Sequence, residues 1–179
     1  MKNAKTYVKY VCSILAIISI VIANNLNSND DDKIRTTQRG LEIIGNAEGC
    51  YTKPYQCPAD VLTVGIGTTN AVEKIDRKKI YTLEEIAHLF REGVKQAEKC
   101  VNIHANGKQL PQGAFESLTS ITFNVGCGKM QKSTLFRMAK QGYTPQMCEQ
   151  FKRWVYAGGV KLKGLEIRRE KERELCLTP

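Results

Sequence analysis

The sequence predicts an α+β fold, with a small β element near the front and a mostly helical remainder. Three observations carry the prediction. Val61 to Thr69 alternates in polarity and contains Gly65 and Gly67, which suits a hairpin and not a helix. T-L-E-E at Thr82 to Glu85 is a capping box, and Leu83, Ile86, Ala87, Phe90, Val94, Ala97 and Val101 follow at helical spacing. Further downstream the apolar residues keep a helical period almost to the C-terminus. At 179 residues the chain can bury one real core, so one domain, possibly of two lobes, plus a short appendage is expected.

The appendage comes first. Lys2, Lys5 and Lys9 form a basic stretch without an acid. V-C-S-I-L-A-I-I-S-I-V-I-A follows from Val11 to Ala23, and N-N-L-N-S-N-D-D-D ends it. A basic region followed by an apolar one is the pattern of an export signal. Lysines before and aspartates after it place the N-terminus in the cytoplasm and the rest outside. These thirteen residues fall short of the roughly 20 apolar residues that span a bilayer comfortably. Ser13, Ala16 and Ser19 weaken the segment further. Two fates compete: removal after the small residues Val21 and Ala23, or retention as an anchor weak enough to leave the membrane. The boundaries drawn are 1–24 for a signal-anchor segment, 25–36 for a polar linker rich in Asn and Asp, and 37–179 for the catalytic domain.

A short helix is expected from Thr36 or Thr37, because Leu41, Ile44 and Ala47 share one face and Gly49 supplies the stop. Glu48 therefore falls in its last turn. After the hairpin and the long helix, Phe115, Leu118, Thr122 and Val125 carry a second helix to F-N-V-G at Phe123 to Gly126. S-T-L-F-R-M starts another at Ser133. Thr144 with Pro145 is an N-cap with proline at the first position, and Gly158 and Gly159 end the helix carrying Phe151 and Trp154. A last helix, with alternating charges that read as a solvated face, runs from about Glu166 to Cys176.

A formal charge of +9 and a pI of about 9.2 suit a polyanionic partner: nucleic acid, anionic lipid or an acidic wall polymer. They equally suit a surface that is basic only for solubility. Seven cysteines point to an oxidising compartment, and the odd count leaves one thiol over when six pair. Cys50 and Cys57 stand too far apart for the usual metal knuckle and no histidine pair accompanies them, so neither a metal nor another cofactor is expected.

A carboxyl at a helix C-terminus, where Glu48 falls, feels the negative end of the helix dipole, which favours its protonated form. A protonated carboxylic acid near neutral pH is what a general acid requires. The spacing adds to this. Glu48, eight residues, Cys57, five residues, Thr63 and then V-G-I-G resembles the catalytic signature of the phage-type lysozymes of glycoside hydrolase family 24. That signature is glutamate, eight residues, aspartate or cysteine, five residues, threonine, leading into a T-x-G-I-G hairpin. The long helix from Leu83, the F-N-V-G turn, Trp154 before A-G-G, and G-L-E-I-R-R-E-K-E from Gly164 to Glu172 match in order, so the resemblance covers about residues 37–177.

The resemblance implies a two-lobed lysozyme-like fold, with a small antiparallel sheet in the N-terminal lobe and a mostly helical C-terminal lobe. It implies an endolysin that cleaves the bond between N-acetylmuramic acid and N-acetylglucosamine in peptidoglycan, with Glu48 as general acid, Cys57 in the place of the second carboxylate and Thr63 holding water. Asn124 sits where the family places a polar cleft residue and would touch the sugar, or else cap the helix end; Tyr55, with Tyr51, would line the cleft or simply pack; and Asp60, whose position does not match the signature, is a weaker candidate carboxylate. A thiol with an ordinary pKa of about 8.5 needs help to ionise at neutral pH.

Some membrane-tethered members of this group are controlled by disulfide exchange, and the parts are present. Cys50–Cys57 would lock the site, and Cys12, shielded in the membrane, would attack Cys50 after release and free Cys57. This argues for retention of the anchor, since cleavage after Ala23 would discard Cys12. The export signal argues against nucleic acid, and the resemblance further implies a phage or prophage origin, peptidoglycan and the inner membrane as partners, a monomer, and a periplasmic catalytic domain that is first tethered and then released. Cys100, Cys127, Cys148 and Cys176 allow three pairings, of which Cys100–Cys176 with Cys127–Cys148 is preferred. Two alternatives compete: a thiol peptidase using His88 or His104, and a non-catalytic basic wall-binding protein.

Overall fold

The computed structural model describes residues 10–57 and 60–178. The basic stretch of Lys2, Lys5 and Lys9 lies outside the described residues. The chain divides into two compact units, Met1–Ile34 with Glu48–Gly93, and Arg35–Ala47 with Val94–Pro179.

The first unit begins with α1 (Ile14–Asn27), capped by the Ser13 hydroxyl, which accepts from the Ala16 N–H. Ile17, Ile18 and Val21 line its buried face, so the segment read as an anchor is here a 14-residue helix contributing to the unit's core. No helix among the described residues is long and apolar enough to cross a membrane. The stretch read as a linker is held in place. The Asn25 side chain exchanges two hydrogen bonds with the Ile34 backbone (2.8 and 3.0 Å), and Arg91 grips the Asp32 carboxylate at 2.7 Å.

A three-stranded antiparallel sheet follows in the order β1 (Tyr51–Gln56), β2 (Leu62–Gly65), β3 (Thr68–Thr69). The hairpin expected at Val61 to Thr69 is β2–β3, turning at Ile66 and Gly67. β1 was not legible, since Pro54 in its middle cannot donate to a ladder. The register is irregular across that residue, between Tyr51↔Gly65 and Tyr55↔Thr63. The long helix α3 (Leu83–His104) starts as expected, with Thr82 and Glu85 exchanging capping-box bonds of 3.0 and 3.2 Å.

The second unit takes α3 from Val94 onward, then α4 (Gln112–Val125), α5 (Cys127–Met130), α6 (Thr134–Gln141), α7 (Pro145–Cys148) and α8 (Lys163–Cys176). Phe115, Leu118, Ile121, Phe136 and Phe151 sit at the centre of its core. Ser133 and Thr144 cap α6 and α7, as their sequence context requires. The helix read through Trp154 instead ends at Cys148. A 3-10 turn continues to Arg153, and Gly158 and Gly159, both at positive φ, form the turn of a hairpin of β4 (Tyr156–Ala157) and β5 (Val160–Lys161).

Cys100 pairs with Cys127 and Cys148 with Cys176, in place of Cys100–Cys176 and Cys127–Cys148. The fold decides this by distance: Cα atoms stand 5.8 and 5.7 Å apart in the pairs formed, within the reach of a disulfide. α8 is also not a solvated charged face. Arg168, Arg169 and Glu172 are buried, with Glu172 accepting from Arg169 at 2.6 Å, Arg168 at 3.2 Å and the Ser120 hydroxyl at 2.6 Å. Buried charges persist because each is paired and hydrogen-bonded.

The helix α2 (Gln38–Glu48) has its N-terminus in this unit, capped by carboxylates distant in sequence. Glu98 accepts from the Thr36 N–H (2.6 Å), the Thr36 hydroxyl (2.7 Å) and the Arg35 N–H (3.1 Å), and Glu116 from the Thr37 N–H at 2.7 Å. Burial pushes the Glu98 carboxyl above its ordinary value, against the hydrogen bonds and the Arg35 charge that hold it down.

Candidate active site

Glu48 is the last residue of α2 and belongs to the first unit. Gly49 follows at φ +74, the left-handed residue that commonly closes a helix, and turns the chain into β1. The Glu48 side chain lies against Gly67 at the tip of the β2–β3 hairpin. A Cβ at Gly67 would stand 3.1 Å from Glu48 Oε2 and 3.2 Å from its Cδ and Cγ. Gly67 thus does two things that only glycine does easily: it holds φ at +68 and leaves room for a carboxyl. The sequence offered V-G-I-G as a hairpin signal, and the contact with Glu48 was not legible in it.

Tyr55 is the second centre of the site. Its phenol is pushed up to about 12, first by burial, then by the Glu48 carboxylate, with Tyr51 and Cys57 adding to this where they too are ionised. These four residues therefore occupy one neighbourhood, and the Tyr51 and Tyr55 rings meet edge-on at 4.9 Å. A phenol held that high remains a neutral O–H donor at any working pH. Thr63 pairs with Tyr55 across the ladder; it is buried, and its hydroxyl donates to the Val61 carbonyl at 3.0 Å.

Cys57 opens the β1–β2 turn, where its N–H donates to the Val61 carbonyl (3.0 Å) and its carbonyl accepts from the Asp60 N–H (2.9 Å). It is half-buried and stands outside any disulfide, whereas Cys12 is bonded to Cys50. Asp60, at φ +58, is exposed and accepts from the Gln56 amide at 3.0 Å. Asn124 lies in the second unit, second from the end of α4, where its side-chain oxygen accepts from Arg169. His88 faces Glu73 at 3.7 Å on an exposed surface, and His104 ends α3.

The family model described as Phage lysozyme matches residues 45–172. A SAR-endolysin of Escherichia phage P1 is 41% identical over 94% of this chain and 91% of its own length. The crystal structure of the active form of P1 phage endolysin Lyz superposes with a TM-score of 0.84 at 39% identity, covering 94% of this chain and 96% of that one. The secreted inactive form of the same endolysin gives a TM-score of 0.57 at 43% identity, covering 80% and 96%.

Proposed function

The chain belongs to the phage lysozyme family and is a peptidoglycan-hydrolysing endolysin, and from that premise we propose the following division of labour. Glu48 donates its proton to the glycosidic oxygen between N-acetylmuramic acid and N-acetylglucosamine. Cys57 takes the part of the second carboxylate of a glycosidase, and Thr63 helps to hold the attacking water. Tyr55, kept neutral, donates to the sugar, and Asn124 contacts it as well. The observation that carries this reading is Glu48 seated against Gly67, on the sheet that pairs Tyr55 with Thr63.

We further infer that the Cys12–Cys50 state is the working one. Cys57 is outside any disulfide, and the chain superposes better on the active form of P1 phage endolysin Lyz than on the secreted inactive form. Before release the chain is exported, tethered to the inner membrane by residues 1–24 with its catalytic domain in the periplasm, monomeric, and locked by Cys50–Cys57. The lock acts on backbone as well as on the thiol. Cys50 and Cys57 flank the six-residue β1, and at ~3.3 Å per residue an intact strand holds them roughly 20 Å apart. A disulfide needs Cα atoms within about 7 Å, so the locked form has no β1.

The test is Glu48→Gln, assayed on purified peptidoglycan. A drop of about 100-fold or more, with an unchanged thermal transition, is expected of a lost general acid; clearance at the wild-type rate defeats the assignment.

A further inference from the structure

The N-terminal segment is joined to the first unit by more than a disulfide. The Thr52 N–H donates to the Tyr10 carbonyl (2.8 Å), the Thr52 hydroxyl reaches the same oxygen (3.2 Å), and the Cys12 N–H donates to the Cys50 carbonyl (3.0 Å). Val11 and Tyr51 face each other as an antiparallel bridge, and the Lys53 ammonium sits 5.2 Å from the Tyr10 ring centroid. The Thr52 carbonyl on the same edge accepts from the Tyr81 N–H at 2.9 Å. Tyr10 to Cys12 is thus a short strand added to the outer edge of β1, opposite the side that pairs with β2.

We propose that this edge is a docking site for the extended segment Tyr10–Cys12, and that its register selects Cys12–Cys50 from the three bonds that Cys12, Cys50 and Cys57 allow. The inference rests on the reading that Cys12 exchanges into a Cys50–Cys57 bond. With Val11 opposite Tyr51, Cys12 and Cys50 are direct cross-strand neighbours on one face, 5.1 Å apart at Cα. Cys57 lies at the far end of β1, so the same pairing excludes Cys12–Cys57. In the exchange the Cys12 thiolate attacks Cys50 Sγ, the Cys12–Cys50 bond forms as Cys50–Cys57 breaks, and Cys57 leaves as a thiolate that takes up the proton Cys12 lost. No oxidant is consumed, so the two disulfide states differ little in bond energy, and β1 together with the strand added to its edge, which only the Cys12–Cys50 state holds, decides which one persists.

The experiment moves the thiol by one residue in the full chain, as Val11→Cys with Cys12→Ser. Val11 is 57% exposed, so folding tolerates the change, but the shifted side chain points to the face opposite Cys50. The released protein is equilibrated in a glutathione buffer, quenched by alkylation, and its bonds are mapped by mass spectrometry. In the wild type, Cys12–Cys50 is expected to exceed each other bond by at least about 10-fold, the worth of two net backbone hydrogen bonds before the ladder of β1 itself is added. In the shifted chain that preference is expected to drop by about the same factor, with Cys50–Cys57 rising in its place. Thr52→Pro, which removes the N–H donated to Tyr10, should shift the distribution the same way with every cysteine in place. Equal preference for the N-terminal bond in the wild type and the shifted chain would overturn the proposal. A bond map of tethered wild type that lacks Cys50–Cys57 defeats the exchange reading instead, and leaves the register result to be judged by itself.

Discussion

Alanine at Gly67 adds one methyl group at the contact on which the site is built. The new Cβ would stand 3.1 Å from Glu48 Oε2 and 3.2 Å from its Cδ and Cγ, at a residue with φ +68. Two costs follow. A left-handed conformation costs an L-residue roughly 1–2 kcal/mol, or about 2–8 °C in Tm for a chain of this size. The contact is too tight for an ordinary Cβ, so the Glu48 carboxyl must retreat by a few tenths of an ångström. A 1 Å error in a reacting group can cost about 100-fold, which scales to roughly 4- to 10-fold in the rate of peptidoglycan clearing. Gly158→Ala is the control: its φ is +57 and nothing lies within 4 Å of the added Cβ, so it shares the backbone cost without touching Glu48. The assay pairs thermal unfolding with initial clearing rates on purified peptidoglycan, both measured on the Cys12–Cys50 form. Wild-type specific activity in Gly67→Ala, or an equal loss in Gly158→Ala, would refute the claim that Gly67 seats the carboxyl.

Glu172→Ala leaves two buried guanidinium groups, Arg168 and Arg169, without their shared carboxylate. A loss of about 3–5 kcal/mol is expected in denaturant unfolding, and a loss under 1 kcal/mol would mean that water replaces the carboxylate at little cost. Glu98 gives a pH signature. Its carboxyl is raised in the fold, chiefly by burial, so its contribution is fully present below the ordinary carboxylate value and is lost as pH rises through the folded one. The stability of wild type relative to Glu98→Gln is therefore expected to be highest in acid and to fall with rising pH; a difference that grows with pH contradicts the raised value.

The parts of this protein that local pattern specifies were legible in its sequence. The capping box at Thr82 and Glu85, the caps at Ser133 and Thr144, the β2–β3 hairpin and the helix ending at Glu48 each follow from a few neighbouring residues, because hydrogen bonds and periodicity over one or two turns decide them. The family signature likewise lies in spacing along the chain. Partners distant in sequence were not legible. Nothing local marks Glu98 and Glu116 as caps for α2, Glu172 as the counterion of two buried arginines, or Gly67 as the seat of Glu48. The cysteine count predicted a leftover thiol, but six bonded cysteines permit many pairings, and only folding brings Cys100 to Cys127 and Cys148 to Cys176. The N-terminal segment shows the division most clearly. Its composition determined that it is apolar, short and carries a thiol, whereas its place depends on which surroundings take up that apolar stripe. In the fold described here Ile17, Ile18 and Val21 are buried in the first unit and Tyr10 to Cys12 completes the edge of β1, because unpaired backbone groups and exposed apolar area are both satisfied there at once.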